Sequence, residues 1–217
     1  MNIRIIMADD HAIVREGIRN IIDRKAKDIA IIGEASNGRE VLTLAKNNPP
    51  DVYVLDIAMP ILNGLETIDR LIKMNPNNKI VILSMHDERN LVEKAFRYGS
   101  KGYVLKESIA EELIDAIREV YMDRYYLSPK ISKFIIQGFL GKRSDQVQDK
   151  SVRNLTRRER EIIQLIAEGF TSKEIAKALN ISLNTAHIHK NNIMQKLDIH
   201  KQADLIRYAL KEGFSSL

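Results

Sequence analysis

Along residues 1–124, short apolar runs alternate with stretches in which apolar residues recur at spacings of three and four. The runs are Ile3–Ala8, Ile29–Glu34, Val52–Asp56, Ile80–Ser84 and Gly102–Leu105. They are rich in β-branched residues and nearly continuous rather than alternating, the pattern of strands covered on both faces. Between them, Val14/Ile18/Ile21/Ile22, Leu65/Ile68/Leu71/Ile72 and Leu91/Val92/Ala95/Phe96 mark amphipathic helices. The last helix of this part is expected to begin at a capping box, Ser108-Ile-Ala-Glu111, and to carry Ile109, Leu113, Ala116, Ile117 and Val120 inward. Five strand–helix units predict an α/β fold, a doubly wound five-stranded parallel sheet.

The pattern changes after residue 124. Tyr125–Leu140 is still partly helical, and GKRSDQVQDKSVRN is polar without a core-forming period, so residues 125–154 read as a partly helical linker. From residue 155 to 217 the pattern is of short helices, a small all-α domain. Thr156-Arg-Arg-Glu159 and Thr171-Ser-Lys-Glu174 are capping boxes. Ser182 is placed to cap a helix from Leu183 to about Leu197, and Lys201–Phe214 forms a last helix ended by Gly213.

Composition adds one distinction. The net charge of +5 is unevenly spread: residues 1–124 hold 18 Lys+Arg against 20 Asp+Glu, whereas residues 125–217 hold 16 against 9. A near-neutral first part and a basic second part suggest that only the second meets a polyanion, although a basic surface can also be merely a soluble one. There is no cysteine, which excludes disulfides, thiolate metal sites and a cysteine nucleophile. The N-terminal apolar run is too short for a signal peptide, and no run approaches the roughly 20 residues that span a bilayer. A cytoplasmic protein without membrane contact is expected.

In a doubly wound sheet, ligands bind beyond the carboxyl ends of the strands. Here those ends carry Asp9-Asp10, Asp56, Ser84 and Lys106. A lone Asp after a strand is ordinarily a turn or cap residue, but this whole set on neighbouring strands points to a site. Three clustered carboxylates repel one another unless a cation sits among them. Oxygen donors, read as having no histidine or cysteine beside them, suit Mg²⁺. Asp56 at the centre can attack a phosphoryl donor, with Lys106 pairing to the phosphoryl oxygens and Ser84 donating a hydrogen bond. Phosphatases of the haloacid-dehalogenase type also use an Asp after a strand, with a second Asp two positions on as general acid. Here that position is Ala58, which cannot move a proton, so a turnover enzyme is not expected.

These residues, in MADDH, DIAMPILNG and KGYVLK, make residues 1–124 resemble a response-regulator receiver domain of flavodoxin-like fold. The resemblance implies that Asp56 takes a phosphoryl group from a sensor histidine kinase, becoming 4-aspartylphosphate. It implies Mg²⁺ held by Asp10 directly, Asp9 through water, Asp56 and the backbone carbonyl of Ala58. Ser84 and Tyr103 match the family's switch positions, and Pro60 and Gly64 match the loop after the acceptor. LTRRERE and EGFTSKEIAKALNISLNTAHIHKNNIMQKL resemble the LuxR-type helix-turn-helix of the NarL/FixJ subfamily. Together they imply a DNA-binding transcriptional regulator switched by phosphorylation. The alternative is a DNA-binding regulator whose receiver acts without phosphate.

On the Leu183–Leu197 helix, spacing puts Asn184, His187, Ile188, Asn191 and Gln195 opposite the apolar stripe, facing the major groove of double-stranded DNA. Lys173, Thr185, Lys190 and Lys196 are expected to contact phosphates. The family usually has Thr-Val-Lys where this chain has Thr185-Ala186-His187; the histidine lacks a permanent charge, and altered base preference or weaker binding is expected. His189 is read as structural. Phosphorylation is expected to permit homodimerisation through Lys201–Phe214, with Leu205, Tyr208 and Ala209 as the apolar face.

Overall fold

In the computed structural model, which describes residues 2–133 and 155–215, alternate side chains of each buried strand enter two different cores. Strands β1 (Ile3–Ala8), β2 (Ile29–Ala35), β3 (Val52–Asp56), β4 (Ile80–Ser84) and β5 (Gly102–Leu105) are all parallel neighbours. Ile6, Ala8, Tyr53, Leu55, Ile80, Ile82, Tyr103 and Leu105 face one core. Ile5, Met7, Val52, Val54, Val81, Leu83 and Val104 face the other. This explains why the strands read as unbroken apolar runs. Helices α2 (Gly38–Asn47), α3 (Gly64–Met74) and α4 (Arg89–Tyr98) close the first core; α1 (Ala12–Lys25) and α5 (Ile109–Tyr121) close the second.

The sheet order is β2-β1-β3-β4-β5-β6. Chain direction across the sheet reverses between β1 and β3, and the carboxyl ends of these two strands flank the crevice where such sheets bind ligands. Two expectations need correction here. Among the described residues the sheet has six strands, not five: Tyr126–Leu127 forms β6, parallel to β5, inside the segment read as linker. Residues 129–133 are helical, and Ile131 is buried in the first core. The remainder of that segment, 134–154, lies outside the described residues. The second correction concerns Ser108, which makes no side-chain cap; Lys106–Ser108 form a 3₁₀ turn ahead of α5.

The chain forms two compact units, Met1–Arg143 and Ser144–Leu217. The second contains α6 (Arg157–Ala167), α7 (Ser172–Leu179), α8 (Leu183–Lys196) and α9 (Gln202–Lys211) around a core of its own. Both expected capping boxes form, at Thr156/Glu159 and Thr171/Glu174, and the Ser182 hydroxyl accepts from the Thr185 amide. Between α7 and α8 the chain turns at Asn180, whose φ of +52° is the left-handed conformation that asparagine tolerates. The last helix ends at Lys211, earlier than expected, with Gly213 at φ +74° beyond it.

Candidate functional site

Each polar group at the strand ends is delivered by the element before it. Asp9 follows β1, Asp56 ends β3, Ser84 ends β4 and Lys106 follows β5, and the parallel register brings all four together. Asp9 and Asp56 are each only 1% exposed, while Asp10 lies at the surface. The Lys106 ammonium stands 2.7 Å from Asp9 Oδ2 and 2.9 Å from Asp56 Oδ2. Burial pushes the Asp56 carboxyl above its ordinary range and Asp9 adds to this, against the opposing pull of Lys106. Burial alone would lower Lys106, but the Asp56 and Asp9 carboxylates outweigh it and hold the ammonium charged.

Four residues, Asp9, Asp10, His11 and Asp56, offer ligand atoms all within 4.8 Å of one another. Among the described residues, Asp9 Oδ2 and Asp56 Oδ2 have the Lys106 ammonium as their one polar partner. Converging carboxylate oxygens from Asp9, Asp10 and Asp56 are the hard donors that a divalent cation such as Mg²⁺ takes. One sequence reading is corrected: a histidine does stand beside the acids. His11 Nδ1 is 2.7 Å from Asp10 Oδ1 and 3.3 Å from Asp9 Oδ1, and the His11 amide donates to Asp9 Oδ1 at 2.9 Å. Arg15, also missed, donates from Nη1 to the Asp9 carbonyl at 2.6 Å. Its place one turn after His11 on α1 was the available signal.

The loop after β3 is drawn tight beneath Asp56. The Gly64 amide donates to the Ile57 carbonyl at 2.9 Å, and Ile61 takes a left-handed φ of +69°. That conformation is uncommon for a β-branched residue and costs about 1–3 kcal/mol. The Ala58 backbone amide acts on the Asp56 carboxylate in the lowering direction, against burial. Asn63 then caps α3 by accepting from the Glu66 amide at 2.9 Å. Ser84 is buried, with its hydroxyl accepting from the His86 amide at 3.0 Å. Tyr103 is fully buried, its hydroxyl donating to the His86 carbonyl at 2.8 Å, and burial raises it above the ordinary phenol range. On the outer side of β5, the Ser128 amide donates to the Tyr103 carbonyl at 3.0 Å and its hydroxyl accepts from the Leu105 amide at 3.2 Å.

In the second unit, Asn184, His187, Ile188, Asn191 and Gln195 are all exposed, while Ala186 and Ile193 are buried on the opposite side of α8. Lys173 is exposed on α7, and Thr185 is half-buried at the start of α8. Lys190 donates to Gln202 at 2.8 Å. Lys196, expected at a phosphate, donates from its amine to Glu159 Oε2 at 2.7 Å and ties α8 to α6. The expected dimer face is corrected too. Leu205 and Ala209 are 0% exposed and belong to the core of this unit, with Tyr208 packed against it.

Glu159 is buried, and its carboxylate takes both Lys196 and the Thr156 amide. Burial would raise its pKa, but these hydrogen bonds hold it below the ordinary 4.5. Its stabilising contribution is therefore present above pH 4.5 and lost as pH falls through the lowered folded value. Glu159→Ala is expected to destabilise this unit by about 2 kcal/mol at neutral pH, through loss of the cap and an orphaned lysine. The difference from wild type should shrink on acidification, as read by denaturant unfolding at several pH values.

The description "Response regulator receiver domain" matches residues 5–118, and "Bacterial regulatory proteins, luxR family" matches residues 153–209. The chain is 37% identical over 213 residues to the oxygen regulatory protein NreC of Staphylococcus carnosus (strain TM300), covering 96% of this chain and 97% of that protein. Among solved structures it is similar to RcsB from Salmonella enterica serovar Typhimurium bound to promoter P1flhDC in the presence of phosphomimetic BeF3−. That match is 26% identical with a TM-score of 0.62, over 96% of this chain and 98% of that one. A LuxR-family two-component response regulator from Aurantimonas sp. SI85-9A1 is 34% identical, with a TM-score of 0.62, over 64% of this chain and 99% of the other.

Proposed function

This chain belongs to the two-component response regulators that join a receiver domain to a LuxR-type helix-turn-helix and regulate transcription, and from that premise we propose that phosphorylation of Asp56 controls DNA binding by residues 155–215. The observation that carries the reading is the Asp56 carboxylate, buried at the end of β3 with Lys106 2.9 Å away and Asp9 sharing the same ammonium. An Asp56 oxygen attacks the phosphorus of a phosphohistidine on a sensor kinase. The P–N bond to the imidazole breaks as the P–O bond forms, and the freed imidazole takes up a proton. Lys106 can pass from the carboxylates to the phosphoryl oxygens, and the Ser84 hydroxyl can donate to them. Asp9, Asp10, Asp56 and the Ala58 carbonyl would hold Mg²⁺, which would supply positive charge to offset that of the phosphoryl oxygens. Ala58 supplies no general acid, so the acyl phosphate persists and the chain is a switch without enzymatic turnover.

Ser84 and Tyr103 serve as the switch residues. Tyr103 links the pocket to the loop after β4 through His86, and the same strand is bonded through Ser128 to the segment leading out of the first unit. Asn184, His187, Ile188, Asn191 and Gln195 enter the major groove, with Lys173, Thr185 and Lys190 toward the phosphates. The phosphorylated protein acts as a homodimer in the cytoplasm; among the described residues no helix is long and apolar enough to cross a membrane. Incubation with Mg²⁺ and acetyl phosphate followed by intact-mass measurement tests the core of this. One added phosphoryl group, located on the peptide containing Asp56, is expected. An unchanged mass overturns the reading.

His187 gives a further expected result. Replacing it with Lys restores a permanent cation at an exposed position on α8. Affinity at low salt should rise several-fold, and the slope of log K against log salt should steepen by about one counterion. An unchanged slope would remove His187 from the interface.

A further inference from the structure

The outermost line of α8 is Asn184, Ile188, Asn191 and Gln195, spaced by four, three and four residues. It runs about 16 Å along the helix, the length of about five base pairs. All four side chains are exposed, and none is capable of carrying charge. Resting on the proposal that α8 lies in the major groove, we infer that this chain reads A·T base pairs, and that its operator half-sites are A·T-rich where α8 touches them.

The chemistry of the bases drives the argument. Asn and Gln present one donor and one acceptor side by side, which matches N7 and N6 of adenine. Against guanine the amide carbonyl would face O6 or N7, acceptor on acceptor, leaving a desolvated group unpaired. Ile188 matches the thymine methyl; against cytosine it would cover the N4 amine, a donor, without accepting from it. The groups that read G·C pairs are missing. Helix α8 has no Arg for guanine and no Asp or Glu for cytosine. Its two lysines lie off the line: Lys190 is placed toward the phosphates beside Gln202, and Lys196 donates to Glu159. His187 lies to one side of the line and can at most add a single contact at its edge.

The test is binding selection from a random duplex pool, using the full chain with Mg²⁺ and acetyl phosphate. A·T pairs should dominate the enriched positions, and exchanging one for G·C should lower affinity on the order of tenfold. Replacing adenine by 7-deazaadenine at an enriched pair removes N7 and should cost nearly as much. Asn191→Arg, at an exposed position with no structural role, should move one enriched pair to G·C. Enrichment of G·C pairs by the wild type overturns the inference, as does an Asn191→Arg protein selecting unchanged sequences. An unaltered affinity for the 7-deazaadenine duplex also overturns it, because the preference then lies in DNA shape. If no sequence is enriched and no duplex is retained, DNA binding itself fails and this inference falls with it.

Discussion

Asp56→Asn takes up no phosphoryl group from acetyl phosphate, and the metal-free protein becomes more stable than wild type. Both outcomes follow from the same carboxylate. The amide is not a nucleophile toward phosphorus at neutral pH, so intact mass should stay constant under conditions that modify the wild type. For stability, Asp56 has a folded pKa raised above its ordinary 3.8, first by burial and further by Asp9. A group raised in this way is protonated more readily folded than unfolded, so ionising it opposes folding. The wild type therefore loses stability as pH rises from 3.8 through the folded value, and Asn, always neutral, does not. Replacing a buried charge by a neutral isostere is worth on the order of 1 kcal/mol here, because Lys106 keeps Asp9 as a partner at 2.7 Å. Denaturant unfolding at pH 4 and pH 7.5 reads the difference, which should be larger at the higher pH. Mg²⁺ should stabilise wild type more than the variant. A variant less stable than wild type at neutral pH would mean that Lys106 compensates the pocket fully.

Gly64→Ala is expected to cost about 3–5 kcal/mol and to cut phosphoryl uptake at least tenfold. A Cβ at Gly64 would stand 2.2 Å from the Asp56 carbonyl oxygen and 2.8 Å from the Ile57 Cα. Both obstacles are backbone, so no side chain can swing away to make room. The Gly64 amide is also bonded to the Ile57 carbonyl, and Asn63 caps α3 immediately before it. Relief of the clash must therefore move either the acceptor strand or the start of α3. Gly17→Ala is the control: nothing lies within 4 Å of its added Cβ in the middle of α1. That change should stabilise by about 0.5–1 kcal/mol through helix propensity. Equal melting temperatures for Gly64→Ala and wild type would contradict the packing argument.

The sheet could be read from the chain because its strands are covered twice, and double coverage leaves an unbroken apolar run. The pocket could be read because topology alone carries Asp9, Asp56, Ser84 and Lys106 to one end. Where reading failed, a local pattern was overruled by a partner distant in sequence. Tyr126–Leu127 is too short to show a period and is a strand because Tyr126 and Ser128 donate to the carbonyls of Lys101 and Tyr103. Ser108 has the sequence of a cap, yet the 3₁₀ turn after β5 takes its place. Leu205 and Ala209 form an apolar stripe that could have served another chain, but a unit this small needs the stripe for its own core. Lys196 also has a partner that local pattern does not show, the buried Glu159, 37 residues away in the chain.

β6 also has a consequence for how the protein can be divided. A strand at the margin of a sheet offers unpaired amides and carbonyls to any passing chain, a common origin of aggregation. Here the margin beyond β5 is occupied by two residues of the same molecule, with Ile131 filling the core beneath. A fragment ending at residue 124 would lose this guard, leave β5 open and vacate the space of a buried isoleucine. Such a fragment should self-associate, whereas one extended to residue 133 should remain monodisperse.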